Sequence, residues 1–181
     1  MATCAPHAAS QNAPTPKELR DRVIAEHFGI LDDSLAVLRF NPPSVFHQWY
    51  AEIIGCSGVK FPGSLPPVFV APITEFQRGP NEAPSLAFYN AVHRYIVFGL
   101  GWERVDWVAR HEFLHDALQL NGIIPSTPFG ESYDEMRQRT HPLEYFGGVM
   151  PDGTVVRGKC GMLVRRPGSF PPLSPDSSKH S

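Results

Sequence analysis

The stretch ERVDWVARHEFLHDALQLNG, residues 103–122, constrains this chain more than any other. Its apolar residues Val105, Val108, Phe113, Leu114, Ala117 and Leu118 recur at helical spacing without keeping to one narrow stripe. A helix that is apolar on most sides has to be enclosed by other elements, not laid on a surface. Acidic residues near its start and Gly122 just past its end mark the two boundaries. Whatever the chain folds into has to be built around this segment.

The enclosing elements are predicted to be short. The 19 prolines gather at the ends and in the connections, which favours brief regular elements and much irregular chain. TPKELRDRVIAEHF begins a first helix, with Thr15 as cap, Pro16 at the first helical position and Glu18 completing a capping box. NPPSVFHQWYAEIIGCSG predicts a second helix, capped by Ser44, with Val45, Trp49 and Ile53 on one face and Gly58 at its end. DSLAVLRF fits a helical turn or a strand equally. PPVFVAPITEF and AVHRYIVFGLGW are strand candidates, and the second leads into the buried helix. ESYDEMRQR is a short polar helix candidate, HPLEYFGG opens a new segment, and GTVVRGKCGMLVRR alternates like a strand or hairpin.

Inside the buried helix His111, Glu112 and His115 form H-E-x-x-H. Residues four apart on a helix lie one turn apart on one face, so both imidazoles can reach a common ion. Zinc accepts neutral imidazole nitrogen in tetrahedral sites, and catalytic zinc leaves one position for water. A carboxylate beside the first histidine can take that water's proton and pass it to a leaving group. Two histidines and a glutamate buried without partners would be costly, and a metal gives all three a reason to be there. The combination suits amide hydrolysis, with Zn2+ as cofactor and a peptide or protein as substrate.

A strand followed by a buried helix carrying HEFLH resembles the zincin superfamily of metallopeptidases. The wider pattern WYAEIIGCSG, PPVFVAP, VHRYIVFG, VARHEFLHDAL and HPLEYF, within residues 45–146, is similar to small zincin-like proteins of bacteria. The resemblance implies zinc ligation by His111 and His115, with Glu112 as the general base. It also implies an α+β, zincin-like fold, a small mixed sheet packed beside the active helix and one or two helices from the amino-terminal third on the far side. The third ligand is open. Glu135 has the separation that thermolysin-like gluzincins use, but the aspartate expected four residues later is replaced by Arg139. His141, held by Pro142 in an extended backbone, is preferred; Glu131, Asp134 and Glu144 are further candidates. A metzincin arrangement is excluded, because HEFLHDALQLN lacks the glycine and third histidine at their spacing.

Other residues near the motif have two readings each. Asp116 would either orient an imidazole or lie exposed on the helix. Tyr133 and Tyr145 would either face a developing oxyanion or pack as aromatics. His93 would line a cleft or occupy an ordinary sheet position, and Trp102 and Trp107 belong to the core. A zincin fold that binds metal without catalysis, as an interaction module, is the alternative function.

The predicted organisation is a disordered or processed lead over 1–14, one domain over 15–166 and a Pro/Ser-rich tail over 167–181. A hydrophobic share of 42% is enough for a core, and a formal net charge of −2 without basic blocks argues against a nucleic-acid surface. No apolar run is long enough to span a membrane. The start MATCAPHAASQNAPTP looks like the spacer after an export signal or lipidated cysteine, with Met1 a truncated start and Cys4 near a processing point. Cys56 and Cys160 would form one disulfide in an exported protein, or stay as two buried thiols.

Overall fold

A computed structural model describes residues 15, 17–18, 21–22, 43–76, 84–125 and 133–160. The chain separates into two compact units, Met1–Ala36 and Val37–Ser181. The expected lead over 1–14, the segment DSLAVLRF and the tail over 167–181 lie outside the described residues. In the first unit the capping box forms. The Glu18 amide donates to Thr15 Oγ1 at 3.2 Å, and the Thr15 amide donates back to the Glu18 carboxylate at 2.7 Å. The bonds from Thr15 hold the Glu18 carboxyl below the usual range.

The second unit is mixed α+β. Helix α1 spans Val45–Ser57, and β1 (Val68–Val70), β2 (Ala87–Asn90) and β3 (Tyr95–Phe98) follow. After a 3₁₀ turn at Trp102–Arg104 comes the long helix α2, Asp106–Leu120. Helix α3 (Tyr133–Thr140), helix α4 (Leu143–Phe146) and a hairpin of β4 (Gly148–Val149) and β5 (Val155–Val156) complete it. The three-stranded sheet has the order β1-β3-β2. The central strand β3 runs parallel to β1, with Val68 opposite Ile96, and antiparallel to β2, with Ala87 opposite Phe98.

The predicted strand 91–102 is in fact a turn followed by a shorter strand. Residues 91–94 turn between β2 and β3, where Asn90 Oδ1 accepts the His93 amide at 2.9 Å and Arg94 takes a positive φ of 53°. His93 therefore sits in the turn and not in a strand. The strand β2, AFYN, escaped notice because four residues without alternation carry no period-2 signal.

All four β3 residues are buried, as a central strand requires. Ile96 and Phe98 join the main core with the helices, while Tyr95 and Val97 point to the opposite face. Gly99 follows β3 directly, and a Cβ there would overlap the Thr74 carbonyl, so no other residue fits this crossing.

Helix α1 lies along α2 on the same face of the sheet. Phe46 meets Phe113 of α2 edge-on at 5.2 Å and Phe98 of β3 at 5.7 Å, and Tyr50 meets Phe113 at 5.3 Å. The buried face of α1 is Phe46, Tyr50, Ile53 and Ser57, so Val45 and Trp49 lie on its flank, half-buried. Ser44 makes no side-chain cap bond, contrary to the expectation, because its own backbone is already helical. Gly58 ends the helix in the left-handed conformation, as expected.

Helix α2 is buried as its composition required. Val108, Ala109, Phe113, Leu114, Ala117 and Leu118 are at most 3% exposed. Its end is a Schellman motif: the Ile123 amide donates to the Leu118 carbonyl at 2.9 Å and the Gly122 amide to Gln119 at 2.8 Å, with Gly122 at φ 70°. Asn121 clasps both backbone groups of Lys60 at 3.0 Å, pinning this end to the chain that follows α1. Trp102 is core and Trp107 is partly buried against it.

Cys56 and Cys160 form a disulfide, S–S 2.01 Å, across a sequence separation of 104. It joins the last turn of α1 to the chain after the β4–β5 hairpin. A crosslink closing so long a loop removes much of the unfolded chain's freedom. Replacing both cysteines by serine is expected to lower unfolding free energy by about 2–4 kcal/mol. Urea denaturation of the oxidised parent and the double variant measures it, and coincident midpoints would refute it. Among the described residues no helix is long and apolar enough to cross a membrane.

Candidate metal centre

The three histidine rings converge. The distance between His111 Nε2 and His115 Nε2 is 3.3 Å, between His115 Nε2 and His141 Nε2 3.1 Å, and between His141 Nε2 and His111 Nε2 3.2 Å. The first two nitrogens come from adjacent turns of α2, as their i,i+4 spacing demands. The third comes from the residue just past α3, whose amide still donates to the Arg137 carbonyl at 2.9 Å. The following Pro142 cannot continue the helix, so the chain turns at His141 and delivers the ring to the side of α2.

The triangle has the dimensions of a metal site. Zinc–nitrogen bonds of about 2.0–2.1 Å in a tetrahedron place ligand nitrogens roughly 3.3–3.4 Å apart. The observed edges of 3.1–3.3 Å lie close to that value. An imidazole lone pair points along one direction only, so three ring nitrogens in mutual contact are better served by one shared cation than by bonds to each other. The three histidines could therefore hold a metal ion, with all candidate ligand atoms within 4.8 Å of one another.

The surroundings fix the rings. Phe146 of α4, 6% exposed, packs against all three, with centroid distances of 5.1 Å to His111, 4.8 Å to His115 and 4.9 Å to His141. Such an apolar wall limits solvent access to a bound ion. Tyr89 of β2 lies parallel to the His115 ring, 5° between planes and 6.3 Å between centroids. Neither aromatic was singled out from the sequence. The only available signal was that Phe146 stands five residues beyond the candidate His141.

Asp116 takes neither of its two predicted places. It is fully buried, and its carboxylate accepts from Tyr50 Oη at 2.6 Å, Tyr89 Oη at 3.1 Å, Arg94 Nε at 2.9 Å and Arg94 Nη2 at 3.3 Å. The one hydrogen of the Tyr89 hydroxyl is shared between Asp116 and the side-chain oxygen of Gln119, one turn further along α2. Burial, reinforced by the neighbouring Asp116 charge, pushes both phenols far above the ordinary tyrosine range, so they remain donors. Burial opposes the Arg94 charge, but its bonds to Asp116 outweigh that and raise its pKa. The network ties the sheet hairpin and α1 to the residue next to His115.

The other candidates lie elsewhere. Glu135 is exposed on α3 and outside the histidine cluster, and Glu144 is exposed on α4. Tyr145 is buried in the core with the Lys159 ammonium 4.7 Å over its ring, which is the packing role. Glu131 and the side chains of Tyr133 and Asp134 lie outside the described residues. Glu112, next to His111 in α2, is buried at 6% exposure.

Comparison with protein-family models, with curated proteins and with solved structures returned no match.

Proposed function

We propose that this chain is a zinc-dependent metallopeptidase of zincin-like architecture. The observation that carries the reading is the near-equilateral Nε2 triangle of His111, His115 and His141 beside a buried glutamate. Three neutral imidazoles with tetrahedral spacing suit zinc and leave one position open for chemistry. Bound there, zinc supplies Lewis acidity and lowers the pKa of water to about 7. Glu112 takes the proton from the attacking water and returns it to the leaving amine as the peptide bond breaks. Phe146 keeps bulk water from the rings, and the Asp116 network holds α2 in register with the sheet. The Cys56–Cys160 disulfide supports an exported location, since such bonds persist in oxidising compartments.

The test is zinc content followed by hydrolysis. The purified oxidised protein is expected to bind one zinc per chain and to cleave denatured protein or a mixed peptide library. A zinc chelator should abolish cleavage and added zinc should restore it. Stoichiometric zinc without turnover of any substrate would instead favour a metal-binding interaction module. Far less than one zinc per chain after reconstitution would remove the metal reading altogether.

A further inference from the structure

We propose that Thr140 is a positioning residue for the third histidine, setting the tautomer in which His141 meets the other two. The inference deepens the metal reading above and rests on it for its purpose, though not for its geometry. Thr140 is the last residue of α3, and its Oγ1 lies 2.8 Å from the Met136 carbonyl and 3.0 Å from His141 Nδ1. A threonine hydroxyl has one hydrogen and two lone pairs. A carbonyl oxygen can only accept, so the bond to Met136 uses the one hydrogen. Toward His141 the oxygen is then an acceptor, and Nδ1 must carry the ring proton. In a neutral imidazole this leaves Nε2 with its lone pair free. Nε2 is the atom that lies 3.1 Å from His115 and 3.2 Å from His111. A short chain of bonds, from the α3 backbone through one hydroxyl, thus delivers an unprotonated nitrogen to the triangle.

The arrangement also accounts for how a residue outside any helix can be a well-defined ligand. The ring of His141 is held on one side by Thr140 and on the other by Phe146, 4.9 Å away. The side chain of threonine is stiff about its first torsion, so the acceptor is held in place by the helix end itself. Partners of this kind on ligating histidines fix ring orientation and raise ligand basicity.

Two measurements test this with Thr140→Val and Thr140→Ser. Valine matches the shape and lacks the acceptor, whereas serine restores it. The first is long-range 15N–1H correlation of the histidine rings in the zinc-free protein at mildly alkaline pH. His141 is expected as the Nδ1–H tautomer in the parent and in Thr140→Ser, and as a mixture in Thr140→Val. The second is zinc affinity by competition with a chromogenic chelator. Thr140→Val is expected to bind about 10–100-fold more weakly, with Thr140→Ser close to the parent. An Nε2–H tautomer in the parent, or equal zinc affinity in parent and Thr140→Val, would overturn the proposal. A parent that binds no zinc fails the metal reading instead, and the ring spectra still decide the role of Thr140.

Discussion

Glu112→Gln is expected to lower peptide hydrolysis by about 10²–10⁴-fold, the ordinary contribution of a positioned acid–base group. The exchange is nearly isosteric, but the amide cannot take a proton from water. Glu112 is 6% exposed, so the neutral side chain introduces no new charge into the interior and the helix should hold. Zinc content should stay at the parent level, because the triangle is made by His111, His115 and His141 and does not include this carboxylate. Metal analysis beside steady-state turnover separates the two roles. A variant that cleaves like the parent removes Glu112 as the base, and one that loses its zinc makes it a ligand instead.

Asp116→Ala carries the largest expected stability effect. The side chain is 0% exposed and gathers two tyrosine hydroxyls and a guanidinium. Removing it leaves Arg94, 29% exposed, without its counter-charge and the Tyr50 phenol without its acceptor, while Tyr89 keeps Gln119. Breaking such a pair by deleting one partner costs about 3–5 kcal/mol. For a chain of this size that is a fall in Tm of roughly 6–20 °C. Asp116→Asn keeps one acceptor oxygen but loses the charge and turns the other oxygen into a donor facing Tyr50 or Arg94, so it should fall between parent and alanine. Thermal and urea unfolding of the three proteins in one buffer measures the order. An alanine variant within experimental error of the parent would mean that the network contributes nothing net.

How far the sequence reached depended on how local each feature is. The C-terminal ends of α1 and α2 were legible because Gly58 and Gly122 stop helices by their own backbone freedom. The Thr15–Glu18 capping box was legible for the same reason, since it closes within three residues. The turn at 91–94 was read as part of the β3 strand because it rests on the His93 amide donating to the Asn90 side chain and on a positive φ at Arg94, neither of which leaves a pattern. Asp116 looked like an ordinary helix aspartate. Its partners Tyr50, Tyr89 and Arg94 stand 66, 27 and 22 residues away, and no periodicity connects them.

The sequence by itself determined the pair His111 and His115, because an α-helix places residues four apart on one face whatever surrounds it. It also determined that this helix must be enclosed, from the apolar residues around its circumference. Tertiary structure alone brought His141, and not Glu135, beside them. That choice depends on where α3 ends and how the chain turns at Pro142 onto Phe146, which is a matter of packing across 26 residues and not of spacing. The same packing decided that Thr140 faces His141 Nδ1, leaving Nε2 turned toward the other two rings.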